Sequence, residues 1–166
     1  MANLEILNEN ILHKDSDIIA FSANFSLLAG SGISGIIHKA AGPELDAAAK
    51  SFAPLTPGQA IITPAFNLSA KYVIHTVCPR YMDGLRGESE QLHNAYTSAL
   101  ALHSQAPDAK SIAFVSMGTG VYKWPIRLAA DIAVKALLTS TFDKTYMCVL
   151  DEETKLVYQD ALDRHL

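Results

Sequence analysis

A chain of 166 residues, 49% apolar and 18% charged, carries enough hydrophobic material for a single domain, residues 1–166, with a full core. Its formal net charge of −4, with Lys and Arg unclustered, argues against duplex nucleic acid as a partner, because binding a phosphate backbone needs a basic footprint. No apolar run is long enough to span a bilayer, no signal-peptide pattern is visible, and the widely separated Cys78 and Cys148 fit neither a disulfide framework nor a metal cluster; the expected setting is cytoplasmic, without membrane, metal or cofactor.

Strand-like and helical runs alternate along the chain. Leu4–Ile11 and Asp17–Ala23 are short, apolar and partly β-branched, as strands are. Helices are predicted over Ser34–Ala41 and Pro43–Phe52; Pro43 suits a first helical turn, and Glu44 and Asp46 complement the positive end of a helix dipole. Strands Ala60–Pro64 and Tyr72–Val77 come next, then a polar stretch, Pro79–Glu90, which reads as a surface loop with Gly84 and Gly87. Helix Ser89–Gln105 and strand Ser111–Met117 lead to helix Ile126–Thr141, in which Ile126, Ala129, Ala130, Ala133, Val134, Leu137 and Leu138 mark one apolar stripe. Strand Tyr146–Leu150 and helix Glu152–His165 complete the pattern, which predicts an α/β fold with helices packed on a mixed sheet.

Two glycine-rich turns each follow a strand and precede a helix: Gly30, Ser31, Gly32, Ile33, Ser34 and Gly35, then Gly118, Thr119, Gly120, Val121 and Tyr122. Glycine lets backbone approach a ligand, converging N–H groups of such a loop hold anions, and a helix start adds unpaired N–H groups and a favourable dipole. A single Gly-x-Gly is usually only a turn, and no Walker lysine follows. Two such loops, both at the carboxyl ends of strands where α/β sheets bind ligands, point to a ligand with two phosphates.

Asn24–Leu28 with the glycine turn and Gly35–Leu45, the block Ala60–Val77, and Gly118–Tyr122 with Pro125 together resemble the macrodomain family, nearest its bacterial O-acetyl-ADP-ribose deacetylase branch, over nearly the whole chain. The resemblance implies a three-layer α/β/α sandwich around a six-stranded mixed sheet. It also implies a cleft for ADP-ribose or a related small nucleotide, free or attached to protein, whose diphosphate and distal ribose are gripped by the two loops. It assigns ligand contacts to Asn10, Ile11, Ala23, Asn24 and both glycine turns through Tyr122. Asn24, Ser34 and His38 become the candidate catalytic residues for hydrolysis of an ester at the distal ribose.

Departures from the family pattern bear on that chemistry. Asn10 stands where an Asp usually accepts from the adenine amine, losing charge assistance of about 1 kcal/mol. Asn24 matches the family's water-orienting Asn, but Ser34 replaces the Asp ten positions later, and serine is no base near neutral pH without an activating partner. His38 lies one turn beyond Ser34, so a Ser34–His38 relay is conceivable; the plainer reading is that Ser34 caps a helix and His38 is packed or hydrogen-bonded near the cleft. Phe21 stands where Asn is common, removing polarity beside the cleft, and Gly118 where Ser is common. Cys78, where glycine is usual, reads as a small buried residue, His75 as a satisfied core histidine and Trp124 as a surface-packing aromatic at the cleft mouth. Three functions remain open: a slow ADP-ribosyl ester hydrolase, a non-catalytic ADP-ribose reader, and a degenerate domain used for protein contacts.

Overall fold

A computed structural model describes residues 3–30, 32–118 and 122–166. Its elements run β1 (Leu4–Asn8), β2 (Ile18–Ser22), α1 (Gly32–Ala41), α2 (Pro43–Lys50), β3 (Ala60–Pro64), β4 (Tyr72–Thr76), α3 (Glu88–Ala101), β5 (Ser111–Val115), α4 (Ile126–Leu137), β6 (Lys144–Val149) and α5 (Glu152–His165), with 3-10 turns at Ile11–His13 and Leu102–Gln105. The strands form one six-stranded sheet in the order β1-β6-β5-β2-β4-β3. All neighbours are parallel except β3 and β4, so the expected mixed sheet is present.

The period-two alternation of a strand sends successive side chains to opposite faces. In β2, Ile18 and Ala20 pack with α3, α4 and α5, while Ile19 and Phe21 pack with α1 and α2. β5 divides likewise, Ile112 and Phe114 to one side and Ala113 and Val115 to the other. The apolar stripe of α4 is buried as predicted at Ala129, Ala130, Ala133, Val134 and Leu137. The result is the anticipated three-layer sandwich.

Several boundaries move, each for a local reason. The first strand stops at Asn8, because the Asn10 side chain accepts a hydrogen bond from the Leu12 N–H at 3.0 Å and caps the 3-10 turn that follows. α1 begins at Gly32 rather than Ser34, so Ser34 is its third residue and not its cap. α3 gives way to a 3-10 turn after Ala101, and α4 ends at Leu137 instead of Thr141. No helix among the described residues is long and apolar enough to cross a membrane.

Candidate functional site

The carboxyl ends of β1, β6, β5 and β2, four adjacent parallel strands, lie along one end of the sheet, where open α/β sheets bind ligands. Two cavities lie there, of about 440 and 320 Å³, and share Ile33 and Ser116 as common walls, making one elongated cleft. Ala23, Asn24, Gly30, Gly32, Ser34, Gly118 and Tyr122 line the larger part. Asn10, Ile11, Ile36, Cys148, Leu150 and Asp151 line the smaller. The cleft therefore brings together the predicted residues that the structure describes, except Gly35 and His38; Ser31, Thr119, Gly120 and Val121 lie outside the described residues.

The first loop is built around Asn24. Its Nδ2 donates to the Leu28 carbonyl at 2.8 Å, and its Oδ1 accepts from Ser26 Oγ at 2.8 Å and the Leu28 N–H at 3.1 Å. Ala29 N–H is held by Asp46 Oδ1 at 3.3 Å, tying the loop to α2. Gly35 takes no part in the lining but permits the turn: a Cβ there would overlap the Gly30 carbonyl oxygen, so the loop can fold onto α1 only over a glycine. The first-turn N–H groups of α1, which have no intrahelical acceptors, begin at Gly32 on the cleft wall.

Behind this loop lies a cluster of buried polar groups. Ser34 Oγ, His38 Nδ1 and His75 Nδ1 are all buried, and each lacks a hydrogen-bond partner among the described residues. The relay considered for Ser34 and His38 is not formed. His38 Nδ1 lies 3.9 Å from Asp46 Oδ1; burial lowers its pKa and the Asp46 charge partly opposes that. His75 is half satisfied, its Nε2 paired with Thr63 Oγ1 at 3.1 Å, and burial, helped by nearby His38, holds its pKa at about 3. Phe21 is fully buried against both rings, centroids 6.1 Å from His38 and 5.1 Å from His75, so its aromatic ring fills the core behind the cleft instead of bordering it.

The described residues flanking the second loop are held from the other layer. Met117 N–H donates to the Tyr96 hydroxyl at 3.1 Å, Ser116 Oγ pairs with the Tyr158 hydroxyl at 2.6 Å, and Trp124 Nε1 donates to the Pro79 carbonyl at 2.8 Å. Trp124 is buried, not at the surface, because its N–H finds that carbonyl and its ring lies beside Gly118. Gly118 has φ of 88°, and a Cβ there would approach Trp124 Cδ1 to 2.5 Å. Cys78 is buried as expected, its thiol pushed up to about 11 by burial, with Ser22 Oγ at 3.1 Å. Glu88 and Tyr81, which support this side, carry no expectation of function in the sequence reading; the available signal is an acid immediately after Gly87 at a helix start. No group of three His, Cys, Asp or Glu among the described residues could hold a metal ion.

A parallel-strand crevice flanked by a helix N-terminus and a glycine turn defines an α/β ligand-binding domain. The macro domain family matches residues 21–133, and the chain belongs to that family. A macro domain-containing protein of Lactiplantibacillus plantarum is 37% identical over 168 residues, spanning 98% of this chain and 97% of its own. An Escherichia fergusonii protein named O-acetyl-ADP-ribose deacetylase is 40% identical over 172 residues, spanning 97% and 96%. Among solved structures, a mutant of the Oceanobacillus iheyensis macrodomain described with ADPR superposes with a TM-score of 0.89 at 35% identity, covering 98% of this chain and 92% of that one. The same macrodomain is also described with ADP.

Proposed function

We propose that residues 1–166 act as one domain that binds ADP-ribose or a close derivative in this cleft and slowly hydrolyses an ester at its distal ribose, in O-acetyl-ADP-ribose or on a mono-ADP-ribosylated side chain. The single observation that carries the reading is the continuous cleft, with the start of α1 on one wall and the turn after β5 on the other. The names of the E. fergusonii and O. iheyensis relatives support it. In this reading the adenosine end takes the smaller cavity beside Asn10 and Ile11, the diphosphate lies between the two glycine turns, and the distal ribose reaches Asn24 and Tyr122.

Ester hydrolysis needs a water aimed at the acyl carbon and a group to take its proton. Asn24 borders the ribose end and orients the water. Ser34 brings a hydroxyl where a carboxylate would act as base, and His38, neutral at physiological pH, has an unpaired Nδ1 among the described residues but no bond to Ser34. A phosphate oxygen of the ligand is then the base, and turnover is slow. A second reading, binding without turnover, is favoured by one observation: both polar atoms of Asn24 are already engaged within its own loop. Acetate release from O-acetyl-ADP-ribose, followed beside ADP-ribose binding in one sample, separates the two. Binding with release above the buffer rate supports the hydrolase, and binding with release at the buffer rate supports the reader.

A further inference from the structure

The loop of residues 79–87 turns its apolar side chains outward at its tip, where Met82 and Leu85 are 59% and 86% exposed. Its order comes from inside. Glu88, the first residue of α3 and only 3% exposed, turns its carboxylate back into the loop. Its Oε2 accepts from the N–H groups of Met82, Asp83 and Gly84 at 2.8, 3.1 and 3.1 Å, and its Oε1 accepts from Arg86 N–H at 2.7 Å. Burial alone would push this carboxyl up; the four donors outweigh it and hold its pKa at about 2. The contacts that Asp83 makes within the loop, to Leu85 N–H and to Arg86 Nε, are exposed.

The inner edge of the same loop supports the cleft. Tyr81 N–H donates to the Tyr122 carbonyl at 3.0 Å, and the Tyr81 ring lies tilted against Trp124 with centroids 5.1 Å apart. Pro79 offers its carbonyl to Trp124 Nε1, and Trp124 N–H donates to the Gly118 carbonyl at 3.0 Å. Of the described residues on either side of the second turn, Tyr122 is thus bonded to the 79–87 loop directly and Gly118 is held through Trp124, which the loop supports.

We propose that Glu88 is a positioning residue for Gly118 and Tyr122: by clasping the 79–87 loop it fixes Tyr81 and Trp124 and, through them, these two residues at the distal-ribose end of the cleft. The identity of the ligand rests on the function proposed above; the loop linkage does not. Glu88→Gln replaces one acceptor oxygen with an amide that faces backbone donors. Trp124 is the only tryptophan of the chain, so its fluorescence reports the linkage without any ligand. Glu88→Gln should shift that emission to the red and raise its quenching by acrylamide. It should weaken ADP-ribose about tenfold while leaving AMP, which has no second ribose, within about twofold. Tyr81→Ala, which leaves the clasp intact, should reproduce both changes and serves if Glu88→Gln does not fold. Wild-type emission and quenching in a folded Glu88→Gln or Tyr81→Ala protein overturns the inference, as does an equal loss for both nucleotides. If the wild-type protein binds neither nucleotide but both variants move the Trp124 signal, the positioning stands and the proposed function fails.

Discussion

The two sides of the cleft are built to different standards of hydrogen bonding. Behind the second turn, Tyr96, Tyr158, Trp124 and Glu88 are buried or nearly so, and each pairs with backbone or a hydroxyl. Behind the first turn, Ser34, His38 and His75 each bury a polar atom with no partner among the described residues. A buried unsatisfied group costs about 1–3 kcal/mol, so the first-turn side carries a cost that the second-turn side does not. The difference is between a side whose buried polar groups are paired within the fold and a side where three are not, among the described residues.

The largest test of that contrast is on the open side. On the proposed hydrolase function, Ser34→Asp introduces a carboxylate beside Asn24 and should raise acetate release from O-acetyl-ADP-ribose by about 10²–10⁴-fold, the usual contribution of a general base. A rate that stays at the wild-type level would show that a carboxylate at position 34 is not what limits turnover. On the closed side, Gly118→Ala combines a positive φ with a Cβ 2.5 Å from the Trp124 ring. It should lower stability by about 1–3 kcal/mol, read by denaturant titration, and weaken ADP-ribose.

The histidines sharpen the comparison through pH. His75 has a folded pKa of about 3, below the 6.5 of an unconstrained histidine, so between these values the unfolded chain binds a proton that the folded one refuses. Stability is therefore full above pH 6.5 and falls as pH drops, by about 1.4 kcal/mol per unit for this group, or about 2 kcal/mol by pH 5. His38, shifted in the same direction, adds to the decline. Urea melts at pH 7 and pH 5 should show the loss, and His75→Gln should flatten it. Glu88 acts in the same sense only at lower pH, as its carboxylate protonates toward about 2. The smallest effect is at the adenosine end. Asn10→Asp keeps the cap on Leu12 N–H and adds charge, and should tighten ADP-ribose by about fivefold relative to the same nucleotide with hypoxanthine as base.

Much of the fold is legible in the chain itself. Ala60–Pro64 and Glu152–His165 form the predicted strand and helix, because alternation and helical caps are local signals. The cleft residues are legible from the glycine turns and from family resemblance. Trp124, Phe21 and Ser34 sit elsewhere than the sequence suggests, because whether a side chain lies at a surface, in a core or at a cap depends on partners far away in sequence. The Pro79 carbonyl, for example, lies 45 residues from the indole it accepts from. Glu88 falls within a polar surface stretch of the sequence, because a buried carboxylate satisfied by four backbone N–H groups looks, in sequence, like any solvated acid.

The central claim is that the cleft holds an adenosine diphosphate linked to a second ribose. Its most direct test is a calorimetric titration of the unmodified protein with ADP-ribose and, separately, with ADP. Saturable one-to-one binding of both, tighter for ADP-ribose because Asn24 and Tyr122 border the far end of the cleft, is the predicted result. The absence of saturable binding by either nucleotide would contradict it.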